Sequence, residues 1–424
     1  MNNKKSSFVT ELKCLVCEKS YPHGNIFTCL DCGIQGILDV QYDYDRIKLN
    51  LCAVGASASG GKSKISHRAY DHWRYIELMP VDTKIPLPHL HVGWTPVYDV
   101  PRLAKHIGIS KLFLKDDGRN PTNSFKDRAS SVGVMKAIEF GFKEIACAST
   151  GNAASSLAGL SAAVGLKSFI FVPKRAPEPK LTQLLIFGAT VLRVQGTYEQ
   201  AFDLCGEACK KFGWYNRSSG INPYLVEGKK TAGLEIAEQM SKNLPDWVVV
   251  SVGDGCTIGG IGKGLQEMKK LGFIDRVPRL LGVQAEGAKP IYDAFYSGKD
   301  LIPSDTNTLA DSIAVGTPRN WRRAIKMVKE SFGEMITVND EEILEAMRVT
   351  ARLGGVFGEP AGVTGAAGLQ KAILEGIVQP TESALVVITG NGLKDIQSAK
   401  RATGSVIDVE PNLEILEEIL KSKN

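Results

Sequence analysis

The chain has 424 residues, and a typical domain size of about 150 residues predicts two to three domains. Its composition, with 43% hydrophobic and 23% charged residues, excludes a disordered or collagen-like chain. The formal net charge of +5 is spread along the chain, so neither a nucleic acid nor a membrane surface is expected as a partner. The first residues are polar and contain no secretory signal, which predicts a cytoplasmic protein with reduced thiols.

Changes in composition divide the chain. Residues 1–50 are rich in cysteine, and residues 51–92 form a linker and arm that includes the small-residue stretch 53–64. Residues 93–400 repeat one pattern, in which a short apolar run is followed by a longer amphipathic run, and residues 401–424 are predicted to form a C-terminal helix. The uncharged stretch 145–166 contains too little Leu, Ile or Phe to enter a bilayer, so it is predicted as a buried strand, loop and helix.

The apolar runs are rich in β-branched residues and short enough to be strands. Strands are predicted at 112–117, 144–149, 168–173, 190–194, 247–253, 280–286 and 384–390. Helices are predicted to begin near Phe125, Asn152, Tyr198 and Ile258. Because nearly continuous apolar strands that alternate with helices form parallel sheets covered on both faces, the predicted fold class is α/β with open twisted sheets.

Three of these strands end in polar, glycine-rich loops. The loops are STGN at 149–152, GDGCTIGG at 253–260 and TGNG at 389–392. In open α/β sheets, ligands bind beyond the carboxyl ends of the strands. The three loops are therefore predicted to meet at one binding crevice.

The N-terminal segment contains two Cys-x-x-Cys pairs, formed by Cys14, Cys17, Cys29 and Cys32. Eleven residues separate the pairs, a spacing that can place four thiolates around a tetrahedral Zn²⁺. Four cysteine ligands would make the site closed and structural, and the alternative is a group of buried thiols without a metal. The cysteines expected only to pack in the interior are Cys52, Cys147, Cys205 and Cys209.

The segment 120–128, NPTNSFKDR, places Lys126 where a polar loop opens a helix. The helix dipole and burial behind Phe125 favour the neutral amine, which is the form that a Schiff base requires. A lysine at a helix start is on its own more often solvated surface. The loop 252–260, VGDGCTIGG, offers backbone N–H groups to a phosphate but does not fit the ATP-binding P-loop pattern.

Together these segments resemble the pyridoxal-phosphate enzymes of the threonine synthase and tryptophan synthase β group. NPTNSFKDR resembles the lysine motif, STGNAASSLAGLSAAVGL the Asn loop, VGDGCTIGG the phosphate loop, and FGEPAGVTGAAGL and ITGNGLKD the C-terminal signatures. The resemblance runs from about 93 to 395, and GWTPV and NPYLVEGKKT point most closely to the threonine synthase branch. It implies two open twisted, mostly parallel sheets flanked by helices (tryptophan synthase β-like), two α/β subdomains that share one crevice, an N-terminal zinc-ribbon-like segment and a homodimer.

The resemblance also implies roles for individual residues. Lys126 is the implied covalent anchor of pyridoxal 5'-phosphate and the catalytic proton carrier, and Thr389 the partner of the pyridine nitrogen. Phe125 is implied to pack beside the cofactor and Asn152 to bond its ring oxygen. The residues implied to cradle the cofactor phosphate are Gly253, Asp254, Gly255, Cys256 and Thr257. The residues implied to bind the amino-acid substrate are Ser149, Thr150, Lys229 and Lys230.

One position departs from the threonine synthase pattern. The family commonly has an arginine where this chain has Leu225, and that arginine helps to hold the substrate phosphate. Arg217, Lys229 or Lys230 is expected to replace it, because a buried dianionic phosphate needs a charged donor. If none does, the resemblance fits a serine/threonine ammonia-lyase or a β-replacement enzyme instead. A non-catalytic binding protein on the same fold is a third reading, which the intact Lys126 opposes.

Overall fold

The computed structural model describes residues 7–51, 64–174, 176 and 178–422, and these residues form three sheets and the helices around them. The strands are β1 (Val9–Cys14), β2 (Ser20–Tyr21), β3 (Thr28–Cys29), β4 (Gly33–Tyr42), β5 (Val97–Asp99), β6 (Lys111–Asp116), β7 (Glu144–Ala148), β8 (Lys167–Pro173), β9 (Thr190–Val194), β10 (Tyr215–Asn216), β11 (Trp247–Ser251), β12 (Arg279–Ala285), β13 (Glu334–Val338) and β14 (Ser383–Ile388).

The α-helices are α1 (Tyr44–Leu51), α2 (Pro101–Ile107), α3 (Lys126–Glu139), α4 (Asn152–Val164), α5 (Glu178–Ile186), α6 (Tyr198–Phe212), α7 (Tyr224–Gln239), α8 (Cys256–Lys270), α9 (Pro290–Ser297), α10 (Trp321–Glu330), α11 (Asp340–Gly354), α12 (Pro360–Leu374), α13 (Ile396–Ala402) and α14 (Leu413–Lys421). Short 3₁₀ helices occupy Lys64–His67, His72–Leu78, Asp117–Arg119, Glu286–Ala288, Asp311–Ile313 and Gly392–Lys394. Among the residues that the structure describes, no helix is long and apolar enough to cross a membrane.

The predicted α/β class with two mostly parallel sheets is confirmed. One sheet has four parallel strands in the order β10-β7-β8-β9. The other has six strands in the order β13-β12-β11-β14-β6-β5, and all of its neighbours are parallel except β5, which runs antiparallel to β6. All five residues of β11 are buried, as expected for a strand covered by helices on both faces.

The N-terminal cysteine-rich segment forms a separate antiparallel sheet in the order β2-β1-β4-β3, which fits the predicted zinc-ribbon-like segment. It also contains α1, a helix that was not predicted from the sequence. Most of the predicted linker at 53–64, as well as Cys52, lies outside the described residues. The other three cysteines expected to pack in the interior, Cys147, Cys205 and Cys209, are buried.

The C-terminal segment is less helical than predicted. Within 401–424, the structure has the end of α13 and the separate helix α14, with an extended, exposed segment at 403–412 between them. Three glutamates, a lysine and the aliphatic residues of LEILEEILK give α14 its helical character, but none of its residues is buried.

Helix α7 lies at the centre of the molecule and is buried on every side from Tyr224 to Ala237. It packs between α3 and α8. Gly228 faces the carbonyl of Arg128 on α3, and Gly233 faces the carbonyl of Ile261 on α8, so that a Cβ at either position would collide with backbone. Through these close approaches α7 connects α3, the helix that carries Lys126, to α8, the helix that follows the predicted phosphate loop.

Candidate active site

The candidate site lies beyond the carboxyl ends of β6, β7, β11 and β14, where backbone hydrogen bonds tie the predicted loops together. The Phe125 N–H donates to the Thr389 carbonyl oxygen at 2.8 Å, and the Asn391 N–H donates to the Asn123 carbonyl oxygen at 3.1 Å. The Glu359 N–H donates to the Gly390 carbonyl oxygen at 3.0 Å. The lysine segment, the GEPAG segment and the TGNG loop therefore form one wall of a single crevice.

The loop before Lys126 is held in a tight turn by Asp127. This buried carboxylate accepts a hydrogen bond from the Thr122 N–H at 2.7 Å and another from the Thr122 hydroxyl at 2.5 Å. Asn123 completes the turn with a φ of 64°, a left-handed conformation that asparagine tolerates. The turn delivers Lys126 as the first residue of α3.

The start of α3 is also fixed by Arg128, whose guanidinium is fully buried between two carboxylates. Its Nε donates to Asp117 at 2.6 Å, and its two terminal nitrogens donate to the Glu235 carboxylate at 2.5 and 2.8 Å. Such two-point pairing restricts the orientation of the guanidinium as well as its position. The ring of Phe125 lies beneath this guanidinium in the hydrophobic core, and its backbone N–H joins the wall of the crevice.

The amine of Lys126 is uncommitted. It makes no hydrogen bond or ion pair with any residue that the structure describes, and its side chain is half-buried. Burial, with the positive charges of Lys229 and Arg217, lowers the pKa of Lys126 to about 8. A substantial fraction of this amine is therefore neutral near physiological pH, as nucleophilic and base catalysis by lysine requires.

Asn152 begins α4 and points into the crevice. Its amide nitrogen donates to the Glu359 carboxylate at 2.6 Å and to the Ser312 hydroxyl at 3.3 Å. Burial raises the pKa of Glu359, which is only 5% exposed. Thr150, Gly151 and Asn152 line a cleft with about 400 Å³ of empty space, part of it open to solvent.

Ser149 and Thr150 lie in the turn between β7 and α4, as predicted. The Ser149 hydroxyl accepts a hydrogen bond from the Gly151 N–H at 3.2 Å, which stabilises the turn. Both side chains are half-buried at the crevice, and Thr150 belongs to the lining of the cleft.

The predicted phosphate loop connects β11 to α8. Gly255 is the N-cap of α8, adopts a φ of 89° and abuts the Asn320 carbonyl, so that a side chain would be both strained and obstructed there. No side chain caps α8, and the first N–H groups of the helix, from Cys256 and Thr257 onward, remain available to an anion. The Asp254 carboxylate accepts from the Arg319 N–H at 2.7 Å and from the Cys256 thiol at 2.9 Å, so only its backbone is available to a phosphate.

Two cations stand beside this loop without a carboxylate partner in the part of the chain that the structure describes. Lys229 is 2% exposed and makes no hydrogen bond or ion pair with a described residue. Arg217 is equally buried, and among the described residues it donates only to the hydroxyls of Ser130 and Ser219. Burial lowers the pKa of Arg217. Because an uncompensated buried charge raises the free energy of the folded protein, these two side chains are suited to bind an anionic ligand that would compensate it.

Lys230, which was predicted to bind substrate, lies on a different face of α7 from Lys229, where it meets Glu227 and Glu267. Its amine is 2.5 Å from the Glu227 carboxylate and 3.0 Å from that of Glu267, and it is fully buried. The structure therefore does not bring Lys230 into the crevice, since both of its partners are internal. Leu225 is buried too and faces Gly133 of α3.

The four N-terminal cysteines come together. The sulfurs of Cys14, Cys17, Cys29 and Cys32 all lie within 4.8 Å of one another, and none forms a disulfide. The Cys17 and Cys29 sulfurs are 3.5 Å apart. Tetrahedral zinc with Zn–S bonds of about 2.3 Å requires sulfurs roughly 3.8 Å apart, so this donor set fits the ion.

Glu359 is the site residue that the sequence did not identify. It was part of the GEPAG segment, but no role was assigned to it. Its position before Pro360 could have identified it. Proline is favoured in the first turn of a helix, and the polar residue before it then projects from the helix start.

Comparisons with known proteins agree with this geometry. A family model described as "Pyridoxal-phosphate dependent enzyme" matches residues 89–390. The threonine synthase of Methanocaldococcus jannaschii is 39% identical over 412 residues, covering 96% of this chain and 99% of the relative. The threonine synthase of Methanosarcina acetivorans is 38% identical, covering 97% and 99%. That of Synechocystis is 38% identical over 81% of this chain and 88% of the relative.

Solved structures share the fold at lower identity. The processed form of threonine deaminase isoform 2 from Solanum lycopersicum superposes with a TM-score of 0.64 at 21% identity, covering 73% of this chain and 87% of that structure. Maize serine racemase gives a TM-score of 0.62 at 21% identity, with coverage of 78% and 93%. The family model and the near full-length relatives show that the chain belongs to the pyridoxal-phosphate-dependent enzymes and, within them, to the threonine synthase family.

Proposed function

We propose that the protein is a threonine synthase that converts O-phospho-L-homoserine and water to L-threonine and phosphate. The observation that carries the choice of substrate is the pair of buried cations, Lys229 and Arg217, which no carboxylate of the described chain neutralises. One cofactor phosphate at the start of α8 does not require both. A second, substrate-borne phosphate accounts for them and for the absence of an arginine at Leu225.

The residues of the crevice fit pyridoxal 5'-phosphate. The uncapped start of α8 would hold its phosphate, Lys126 would be its covalent anchor, and Asn152 and Thr389 would hold the polar atoms of its ring. When bound, the cofactor supplies an electron sink for the charge that develops on the substrate carbons. A neutral hydroxyl such as that of Thr389 at the ring nitrogen suits elimination more than transamination.

The chain itself contributes orientation and proton transfer. The Lys126 amine, with its pKa of about 8, removes protons from the substrate α and β carbons and delivers protons to the γ carbon, where the phosphate has left, and back to the α carbon. Ser149, Thr150 and the start of α4 receive the substrate carboxylate, because backbone N–H groups at a helix start bind anions. Lys229 and Arg217 hold the phosphate while it leaves the γ carbon, and water then adds at the β carbon.

A structural zinc ion is proposed for Cys14, Cys17, Cys29 and Cys32, supported by the close approach of their sulfurs.

A homodimer is proposed as well, supported by α14, whose Leu413, Leu416 and Leu420 are exposed on a helix with no buried residue. A cytoplasmic location is proposed on the absence of disulfides among the described cysteines.

The test is a substrate screen with the purified holoenzyme, in which phosphate, ammonia and threonine are measured together. O-Phospho-L-homoserine should give phosphate and threonine in equal amounts. L-Serine and L-threonine should release little ammonia, since neither occupies the two cations. Ammonia release from serine or threonine without phosphate release from O-phosphohomoserine would establish the ammonia-lyase alternative instead.

A further inference from the structure

The N-terminal ribbon is attached to the catalytic region by Asp39, the largely buried charge of β4. The Asp39 carboxylate accepts a hydrogen bond from the Lys263 amine of α8 at 2.9 Å and also pairs with the Arg323 guanidinium of α10. The Arg323 guanidinium donates in addition to the Leu38 carbonyl oxygen at 2.9 Å. Packing alone could attach the ribbon without charges that are largely removed from water, and such ion pairs carry a desolvation cost.

The same strand reaches α7 directly. The Tyr42 hydroxyl donates to the Glu227 carboxylate at 2.8 Å, and the Lys263 amine donates to that carboxylate at 2.8 Å. The Lys230 amine, 2.5 Å from Glu227, lies 4.0 Å above the Tyr42 ring. Glu227 and Lys230, the two charged residues that flank Lys229 on α7, are therefore both held by β4.

Lys229 has no anchor of its own among the described residues. The direction of the Lys229 side chain therefore depends on how α7 is rotated about its axis and shifted along it. Glu227, Lys230 and Gly228 fix the rotation and the position of α7, and Gly228 packs on the α3 backbone. A shift of α7 by a fraction of its radius would move the Lys229 amine out of the crevice, because a charge-assisted hydrogen bond needs its atoms within about 3 Å.

We propose that β4 of the ribbon is a positioning element of the substrate-phosphate site, in which Asp39 and Tyr42 hold α7 so that Lys229 faces the crevice. The inference rests on the proposed function, since it assumes that Lys229 holds the substrate phosphate. It assigns the ribbon a role in substrate affinity, and Asp39 and Tyr42 act through Glu227, Lys230 and Lys263 without touching the substrate.

The test compares holoenzyme variants of the ribbon. Asp39→Asn removes the charge that Lys263 and Arg323 share, and Tyr42→Phe removes a single hydroxyl with little risk to folding. Asp31→Asn is the matched control, because Asp31 is a ribbon aspartate that pairs with Lys19 at the exposed surface. The KM and kcat for O-phosphohomoserine and the Kd of inorganic phosphate, measured by calorimetry, are the readouts.

Asp39→Asn should raise the KM and the phosphate Kd at least fivefold with kcat within twofold of wild type, and Tyr42→Phe should raise them two- to threefold. Asp31→Asn should change none of them. A KM and a phosphate Kd within 1.5-fold of wild type in both β4 variants would overturn the inference. If the wild-type enzyme releases no phosphate from O-phosphohomoserine, the proposed function fails, and the Kd of inorganic phosphate alone still decides whether β4 positions Lys229.

Discussion

Replacing Lys229, the buried lysine that has no carboxylate partner among the described residues, by methionine should separate the effect on substrate affinity from the effect on stability. Lys229 is buried without a counter-ion, whereas Lys115 is equally buried but lies 2.8 Å from the Glu235 carboxylate. Lys229→Met therefore removes a charge that only a ligand compensates, and Lys115→Met leaves a buried carboxylate with one partner fewer. The two substitutions are identical in chemistry and differ only in the partner of the lysine.

The magnitudes follow from these partners. A charge-assisted hydrogen bond contributes about 1.5–3 kcal/mol, so Lys229→Met should raise the KM for O-phosphohomoserine roughly 10- to 100-fold, at about 1.4 kcal/mol per tenfold. The urea midpoint of this variant should not fall, because removing an uncompensated buried charge relieves a desolvation cost. Lys115→Met should lower the free energy of unfolding by about 3–5 kcal/mol, since it breaks a buried ion pair, and should leave the KM within threefold.

Steady-state phosphate release and urea unfolding followed by circular dichroism measure the two effects on the same preparations. The reasoning is refuted if Lys229→Met lowers the urea midpoint as far as Lys115→Met does while its KM stays at the wild-type value. That result would make Lys229 a structural residue and leave Arg217 as the phosphate partner.

Three further outcomes are expected. Lys126→Ala should lower turnover by several orders of magnitude, and borohydride should fix the cofactor to the peptide containing Lys126 in the wild type; labelling of another lysine would contradict the assignment. Because the pKa of Lys126 is lowered to about 8, cofactor incorporation into the apoenzyme should accelerate with pH and be half-maximal near pH 8, not near 10.5. Elemental analysis should find about one zinc per chain, lost together with the ribbon's stability in Cys14→Ser.

Much of the fold could be predicted because its strands are apolar and its loops carry glycine and proline. The helix predicted near Asn152 begins at Asn152, and the strand predicted at 190–194 has those bounds. Helix α8 begins two residues before the predicted start at Ile258, because Gly255 caps it with a left-handed backbone that the sequence pattern did not reveal.

The choice between adjacent lysines could not be made from the sequence. Helix α7 is buried on all sides, so no amphipathic pattern tells which face Lys229 and Lys230 occupy. Their roles depend on partners far along the chain, since Lys230 is paired with Glu267 and packed on Tyr42. Glu359 was missed for a similar reason, because its importance comes from a hydrogen bond to Asn152, which lies 207 positions away.

The most direct test of the central claim is the fate of the oxygen atoms when the enzyme turns over O-phospho-L-homoserine in ¹⁸O-labelled water. Elimination at the γ carbon breaks the carbon–oxygen bond, and water then adds at the β carbon. Mass spectrometry should therefore find one ¹⁸O in the threonine hydroxyl and none in the released phosphate. Label in the phosphate, with homoserine in place of threonine as the product, would mean that water attacks phosphorus and would contradict the proposed reaction.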